Sequence, residues 1–359
     1  MKIHILASRD AISHFFLFPL LMQRKRLKAE GCDIDLFSKI NDSFLKADIL
    51  LIDNRFFTPL WANHAAQALE QLDHLRKRNP WIIWLDVTDS TGATQFQVLP
   101  YVDKYFKKQL LKDRTLYLKE YYGARIYCEY YKNHFNLPSE EAFRCQPMDT
   151  SYLQKLDVSW NLALAPYYRF GLLTSFAHCL PLWLKGNCFF KSDMVFLPWE
   201  ERNVDIGFRG SDRYNNKALG FQRIETKRAL ARRGVATGPV SRRKYLSELR
   251  KTKIGVSPFG AGEICFRDFE IIQAGGLLLK PDMSHCETWP DLFIENETYV
   301  PFRWDFSDFE QTINDLLSSP DKMKSIAKKA QGKYKDFFSE AGQEEFCQRF
   351  IERVRPQQS

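Results

Sequence analysis

One loop in the second half of the chain combines glycines with a charged residue in a pattern suited to binding an anion. Gly260 and Gly262 lie in this loop, and Arg267 stands near the start of the predicted helix that follows. Glycines let a ligand approach the backbone closely, and a helix N-terminus presents N–H groups without intrahelical partners. A cation at a helix start is unfavourable unless an anion compensates it. The pattern predicts a site for a nucleotide diphosphate. The simpler alternative is a surface arginine paired with a neighbouring carboxylate.

The residues around this loop are predicted to form a strand, a helix and a second strand. Lys253–Ser257 alternates towards an apolar strand, and Phe266–Ala274 has helical period. The pair Gly275-Gly276 suits the end of that helix. Leu277–Leu279 is a short apolar run, typical of a strand that is buried on both faces of a parallel sheet.

The same alternation runs through the chain and predicts an α/β fold with two Rossmann-like domains. The domains are predicted at 1–200 and 201–338, followed by a segment, 339–359, whose helix is long enough to return to the first domain. The further predicted strands are Ile3–Ala7, Asp33–Phe37, Ile49–Ile52, Trp81–Leu85, Val204–Phe208, Val235–Thr237 and Tyr299–Phe302. The further predicted helices are Ala11–Glu30, Ala62–Arg78, Leu172–Leu184, Phe221–Arg233, Arg242–Lys251, Phe306–Ser318, Ser319–Phe338 and Glu340–Val354, with 198–203 as a connector between the domains.

Polar residues directly follow three predicted strands of the first domain. In open parallel sheets, ligands lie beyond the carboxyl ends of the strands. The candidate ligand-facing residues are therefore Arg9, Asp53, Asp86 and Asp89. For the last two, a purely structural role as turn caps stays open, because Asp-x-x-Asp-Ser-Thr-Gly is good turn chemistry.

Composition fits a globular protein without a metal centre. The chain has 359 residues and a net charge of +8, which suits an anionic substrate, an acidic membrane face or nucleic acid. The eight cysteines and seven histidines show no metal-ligand spacing, so we expect reduced thiols and no metal. Asp33 and Asp35 mimic a metal motif but begin a strand, the wrong end for a ligand. A strand opens the chain, so we expect no signal peptide and a cytoplasmic location, with peripheral contact at the inner membrane face left open.

Residues 101–143 are basic and rich in tyrosine. One interpretation is a helical surface whose tyrosine rings pack while the lysine ends stay in water. The other is a platform for a sugar, a lipid headgroup or a nucleic acid. We favour the first.

The second half resembles a known family of enzymes. The segments VDIGFRGS, FQRIETKRALARRG, KYLSELRKTKIGVSPF and FRDFEIIQAGGLLLKP are similar to the carboxy-terminal half of GT-B glycosyltransferases of the "glycosyl transferases group 1" type, including its spore-maturation-protein-like branch. The similarity covers roughly residues 204–340, and the first half matches only as a general Rossmann-like acceptor domain. The resemblance implies a GT-B architecture, in which the two domains face each other across a cleft.

The resemblance also implies roles for single residues. Arg267 would clamp the donor diphosphate, and Glu270 would hold the ribose hydroxyls. Glu263 would stand near the donor sugar. The two glutamates have six residues between them rather than the family's seven, so the stereochemical outcome stays open. The remaining residues assigned to the donor side are Arg209, Gly210, Arg223, Gly260 and Gly262.

We therefore expect transfer of a sugar from a nucleoside diphosphate sugar to a glycan or lipid-linked acceptor, as in cell-surface polysaccharide or lipopolysaccharide synthesis. The donor is a co-substrate, and no cofactor is expected. Asp86 is the best-placed carboxylate for accepting the proton of the acceptor hydroxyl. Two alternatives stay open. One is a NAD(P)-dependent oxidoreductase, because Gly260-Ala-Gly262 partly mimics the dinucleotide fingerprint and Asp282 follows about twenty residues on. The other is a non-catalytic relative that binds a glycan or, less favoured, a nucleic acid.

Overall fold

The computed structural model describes residues 1–61, 63–79, 81–138, 143–165, 196–199, 202–211, 214 and 216–356. The predicted helix Leu172–Leu184 lies outside the described residues, as do two residues of the predicted connector, Glu200 and Glu201. Within the described residues, no helix has the length and apolarity needed to cross a bilayer.

The first domain is built on a parallel sheet of six strands. Strands β3 and β4 are fully buried, as expected for central strands covered on both faces. The spatial order is β2-β1-β3-β4-β5-β7, and all five pairings are parallel. The strands are β1 (Lys2–Leu6), β2 (Asp33–Phe37), β3 (Ile49–Asp53), β4 (Ile82–Asp86), β5 (Lys104–Lys107) and β7 (Leu156–Val158).

The second domain is built on a parallel sheet of four strands. The order is β12-β10-β9-β8, so neighbouring strands are connected by crossovers rather than hairpins. The strands are β8 (Val204–Gly207), β9 (Thr252–Val256), β10 (Leu277–Pro281) and β12 (Val300–Phe302). The expected α/β fold with two Rossmann-like domains is therefore confirmed.

Helices pack on these sheets with their apolar sides inward. Those of the first half are α1 (Ala11–Met22), α2 (Arg24–Ala29), α3 (Asn54–Trp61), α4 (Ala65–Arg78) and α5 (Ile126–His134). Those of the second half are α6 (Lys217–Arg232), α7 (Arg242–Lys251), α8 (Phe266–Gln273), α9 (Phe309–Leu317), α10 (Pro320–Asp336) and α11 (Glu340–Val354).

The structure departs from the predicted elements in several places, among them strands β7 and β11 (Cys286–Thr288), which were not predicted. The predicted helix Ala11–Glu30 ends at Met22 and restarts at Arg24. The segment 101–143 is not one helical surface, because it contains two strands before α5. Helix α3 has no counterpart among the predictions, and Val235–Thr237 is not a strand. Short segments are decided by tertiary contacts more than by their own pattern.

Main-chain pairing joins the two domains. Strand β6 (Gln109–Leu111) of the first half forms an antiparallel pair with β11 (Cys286–Thr288) of the second. Asn161 strengthens this junction, donating from its side-chain amide to Thr288 Oγ1 at 2.9 Å and to the carbonyl of Pro290 at 2.8 Å. The domains are thus linked by backbone as well as by side chains.

Two helices cross between the domains. The apolar side of α11 is buried with β1, β2 and β3 of the first sheet, and Trp81 Nε1 donates to the carbonyl of Val354 at 2.9 Å. Helix α5 instead packs on the second domain, where Tyr127 donates its hydroxyl to the carbonyl of Gly260 at 2.9 Å. Tyr127 and Tyr131 are buried, as expected of packed tyrosine rings, but Lys107 and Lys108 of the same segment are buried too rather than in water.

Candidate active site

The site is assembled where β8, β9 and β10 end. The segment after β8 carries Phe208 to Ser211, the loop after β9 leads into α8, and the segment after β10 carries His285. Parallel strands bring these carboxyl ends to one edge of the sheet. The first-domain loop 87–91 and the start of α5 approach the same edge.

Arg267 lies flat on an aromatic ring and has an unused hydrogen-bond donor. Its guanidinium carbon is 4.8 Å from the centre of the Phe208 ring. Nη1 is buried and has no hydrogen-bond partner in the described part of the chain. A Cβ at Gly210 would lie 3.1 Å from Nη2, so the absence of a side chain there gives the guanidinium its place.

Arg223 repeats this arrangement from helix α6. Its guanidinium carbon is 5.2 Å from the centre of the Tyr214 ring, and Nη1 donates to the carbonyl of Ser211 at 3.1 Å. Its Nε is buried without a hydrogen-bond partner among the described residues. A Cβ at Gly260 would collide with Nη2 of this arginine.

Neither arginine forms a close ion pair with a described carboxylate, and the charge of Arg267 acts on Glu270 one turn away on α8. A buried N–H without a partner costs on the order of 1–3 kcal/mol, and more when the group is charged. Two planar cations with spare N–H groups are suited to binding a phosphate or diphosphate, which would satisfy both.

Glu270 lies one turn after Arg267 on α8. It accepts a hydrogen bond from the Tyr245 hydroxyl at 2.8 Å, and Arg242 is 3.2 Å from its other oxygen. Burial raises the pKa of Glu270 above its usual value, against the opposing effects of Tyr245 and Arg242. One oxygen of Glu270 is thus bound by the Tyr245 hydroxyl, and the other is ion-paired with Arg242.

A cavity of about 480 Å³ lies beside these residues, along the edge strand β8. Tyr245 and Arg267 form part of its wall, as do the backbone of β8 and residues 233–236. Arg209 also faces it, but Nε and Nη2 donate to the two oxygens of Glu248 at 2.7 and 2.9 Å. This two-point pairing positions Arg209 as a wall of the cavity rather than as a free phosphate ligand.

Glu263 is not in the open position beside a donor sugar that the resemblance implied. Its side chain is fully buried between the domains. One oxygen accepts from the Thr91 hydroxyl at 2.7 Å, and the other accepts from Gln109 at 2.8 Å and from the Thr91 N–H at 3.0 Å. Burial alone would raise the pKa of Glu263, but the neighbouring His285 and the hydrogen bonds from Thr91 outweigh it and lower the pKa to about 2. Glu263 is thus an ionised link between the domains.

Residues of the first domain contact the glycine loop. The loop is therefore not the open anion-binding loop that the sequence predicted. A Cβ at Gly262 would overlap the carbonyl oxygen of Asp89. Arg125 donates from Nε to the carbonyl of Ala261 at 2.8 Å. The N-terminus of α8 is already capped, because Asp268 accepts from the Cys265 N–H at 2.9 Å. The glycines thus permit domain contact, and the guanidinium groups of Arg223 and Arg267, with their unpartnered N–H groups, lie beside the loop.

Asp86, expected as a base, is a saturated structural charge. It is fully buried and lies 2.9 Å from Lys107 Nζ, which is also fully buried. Its oxygens also accept from the Tyr105 hydroxyl, from the Thr88 hydroxyl at 2.6 Å and from the Thr88 N–H at 2.8 Å. No oxygen is left exposed to receive a substrate proton.

The other first-domain candidates differ in accessibility. Asp53 is fully buried against Ser13, and burial raises its pKa to about 6. Arg9 is exposed and donates to Ser38 at 3.3 Å. Asp89 keeps 55% of its side chain exposed while pairing with Lys108 at 3.0 Å. Burial alone would raise the pKa of Asp89, but the charge of Lys108 and its hydrogen bond lower it. Asp89 is therefore the candidate carboxylate that is both ionised and accessible.

Several residues of the site lay outside the sequence predictions. Lys107 and Lys108 lie at the end of β5. They were not recognised, because a helical surface was predicted over 101–143. The run Tyr105-Phe106-Lys107-Lys108, followed by apolar residues, was an available strand signal. The partners of Glu263, Thr91 and Gln109, carry no such signal, because their contacts join segments far apart in sequence.

Comparisons with known proteins place the chain among distant structural neighbours. A scan against protein-family models gives no match, and a search of curated proteins gives none either. An alpha-glucosyltransferase solved with UDP and a 13-mer DNA containing an HMU base is 12% identical with a TM-score of 0.39, over 97% of this chain and 99% of that one.

Two further structures align over nearly the whole chain. HepE from Anabaena, solved with UDP-glucose, is 10% identical with a TM-score of 0.43, over 98% of this chain and 99% of that one. A glycosyltransferase from Rickettsia africae is 10% identical with a TM-score of 0.41, over 98% and 97%. These likenesses are too distant to carry a function across to the chain.

Proposed function

We propose that the chain is a glycosyltransferase that uses a nucleoside diphosphate sugar as donor. The observation that carries the proposal is the pair of guanidinium groups of Arg223 and Arg267, each with a buried N–H that has no partner within the described residues. They lie at the carboxyl edge of a Rossmann-like sheet, where such folds bind ligands. The motifs quoted above resemble the group 1 type of these enzymes and its spore-maturation-protein-like branch.

The donor would lie along the edge of the second sheet. The nucleoside would occupy the cavity of about 480 Å³ beside β8, with its ribose near Glu270 and Tyr245. The diphosphate would accept hydrogen bonds from Arg223 and Arg267. Negative charge grows on the diphosphate as the glycosidic bond breaks, so fixed guanidinium groups stabilise the transition state more than the ground state.

The carboxylate that meets the acceptor hydroxyl would be supplied by the first domain. Asp89 is the exposed carboxylate that lies against the glycine loop, and we assign it, rather than Asp86, to the acceptor hydroxyl. The acceptor would be a glycan or a lipid-linked glycan, and a lipid-linked one would bring the protein to the inner face of a membrane. The oxidoreductase alternative is not favoured, because the Asp89 carbonyl fills the space at Gly262 where a dinucleotide would approach.

The test of the donor site is nucleotide binding. Isothermal titration with UDP, GDP and ADP should identify one that binds the wild type. Arg223→Ala and Arg267→Ala should each weaken that binding by about 10- to 100-fold, the usual size for a hydrogen bond between charged groups. Arg228→Ala, on the exposed side of the same helix as Arg223, is the matched control and should not change it.

Activity is measured separately as nucleotide release from UDP-, GDP- and ADP-sugars. Asp89→Asn should slow transfer while leaving nucleotide affinity unchanged, because its carboxylate acts on the acceptor. The proposal fails when none of the nucleotides binds, or when both arginine variants bind as tightly as the wild type.

A further inference from the structure

A second and larger cavity opens at the same edge of the second sheet, where β10 and β12 end. Its volume is about 810 Å³. Its wall combines aromatic rings with charged side chains from three parts of the chain: Tyr130 of α5, Asp282 and His285 after β10, and Arg303, Trp304 and Asp305 after β12. Nothing in the donor site uses these residues.

The aromatic part of the wall is rigid. Trp304 donates from Nε1 to the carbonyl of Asp282 at 3.0 Å, which fixes its indole. The Tyr130 ring stands nearly perpendicular to it, with the ring centres 5.5 Å apart, and His285 meets the indole edge-on at 5.0 Å. Rigid aromatic rings give a ligand a large contact area at little cost in conformational entropy.

The polar part of the wall is acidic, although the whole chain has a net charge of +8. Four carboxylates line the cavity and one arginine accompanies them: Asp282, Glu295, Asp305, Asp308 and Arg303. His285 also lines the cavity, with its buried Nε2 turned to Glu263 at 3.8 Å. Such a wall offers many hydrogen-bond acceptors and repels an anion.

His285 also connects this cavity with the donor site. Its Nε2 lies 3.8 Å from Glu263, and its ring centre is 6.1 Å from that of Phe259 in the loop after β9. The loop after β9 thus has Arg223 beside Gly260 and Trp304 beside Phe259, with the two ring centres 6.1 Å apart.

From these observations we propose that the second cavity binds a sugar unit that is uncharged or carries an amine. The cavity excludes acidic sugars. Flat rings suit the apolar face of a pyranose, and the carboxylates suit its hydroxyl or ammonium groups. The sugar binding stands on the cavity alone. Its identification as the acceptor end of the reaction rests on the proposed glycosyltransferase function.

The experiment measures binding of three defined disaccharides to the full chain by titration calorimetry: those of glucosamine, N-acetylglucosamine and galacturonic acid. The first two should bind and the third should not. Trp304→Ala and Tyr130→Ala should weaken the binding by about tenfold or more, whereas Trp304→Phe should weaken it by only about two- to threefold. Asp305→Asn should weaken the glucosamine disaccharide most, and Asp315→Asn, an exposed carboxylate on α9, is its control.

Binding of the nucleotide is measured on the same variants. It should be unchanged, which also shows that the second domain is folded. A wild type that binds disaccharide but no nucleotide would refute the donor proposal and leave the sugar site standing. The sugar site is refuted when the galacturonic acid disaccharide binds as tightly as the others, when none binds, or when Trp304→Ala and Tyr130→Ala bind like the wild type.

Discussion

The buried charged side chains at the carboxyl edges of the two sheets differ in whether they have hydrogen-bond partners. At the first sheet, Asp86 and Lys107 are buried together and saturated with hydrogen bonds. At the second, Arg223 and Arg267 are held on aromatic rings and keep donors that no described residue uses. A charge with every partner present holds the protein together, whereas one with a partner missing is prepared for a ligand.

The largest effect should follow from breaking the saturated pair. Lys107→Met leaves the Asp86 carboxylate buried without its cation and should lower the free energy of unfolding by about 3–5 kcal/mol, measured by urea denaturation. Asp86→Asn combined with Lys107→Met should recover part of this loss. Lys119→Met, at an exposed position, should have no comparable effect. Equal losses of stability in the two lysine variants would show that the buried Asp86–Lys107 pair does not hold the first domain together.

Glu263 extends the comparison to the junction between the domains. Its folded-state pKa is lowered to about 2, so its stabilisation is present above the unfolded pKa near 4.5 and is lost as pH falls through about 2. The full contribution is roughly 3 kcal/mol, and the wild type should lose much of it between pH 4.5 and 3. Glu263→Gln should remove this pH dependence, whereas Glu297→Gln, at an exposed position, should retain it. A Glu263→Gln variant with the wild-type pH profile would show that the carboxylate is not a charged link.

Asp53 should show the opposite sign. Its folded-state pKa is raised to about 6 from 3.8, so the stability it contributes is present below the unfolded pKa and is lost as pH rises through about 6. The wild type should therefore lose roughly 2–3 kcal/mol relative to Asp53→Asn between pH 4 and pH 7. Thermal denaturation across this range measures the difference, and parallel profiles of the two proteins would contradict it.

The smallest effect on the free energy of unfolding should come from Arg267 at the edge of the second sheet. Arg267→Met keeps the side-chain stem on Phe208 and removes a buried donor without a partner, so the ligand-free protein should lose less than about 1 kcal/mol of stability. Ligand binding should be lost in the same variant. A large loss of stability in the absence of nucleotide would show that Arg267 stabilises the fold, as Lys107 does.

The parts of the fold predicted from sequence are those with strong local patterns. Glu340–Val354 was predicted with its observed bounds, and Asp33–Phe37 likewise, because periodicity and flanking residues define both. Residues 101–143 were mispredicted, because lysines inside β5 look exposed until their buried partner Asp86 is known. Local pattern cannot supply that partner.

The candidate site shows the same limit. The positions of Arg223, Arg267 and Glu270 near one strand edge follow from the order of strands and helices. The burial of Glu263 does not, because it depends on Thr91 and Gln109 arriving from another domain. Likewise, the glycines of the loop suggested space for a ligand, although at Gly262 the neighbour is the Asp89 carbonyl.

The return of α11 to the first sheet has a consequence for how the protein is made. Phe346, Phe350 and Val354 complete a core to which strands β1 to β4 contribute, together with residues of α1, α2 and β5. Those strands leave the ribosome early, and this helix follows only after the whole second domain has been synthesised. Until then the nascent first domain exposes an apolar face, which is a binding surface for chaperones and a hazard for aggregation. The core of the first domain is therefore completed only when α11 packs on strands β1 to β4.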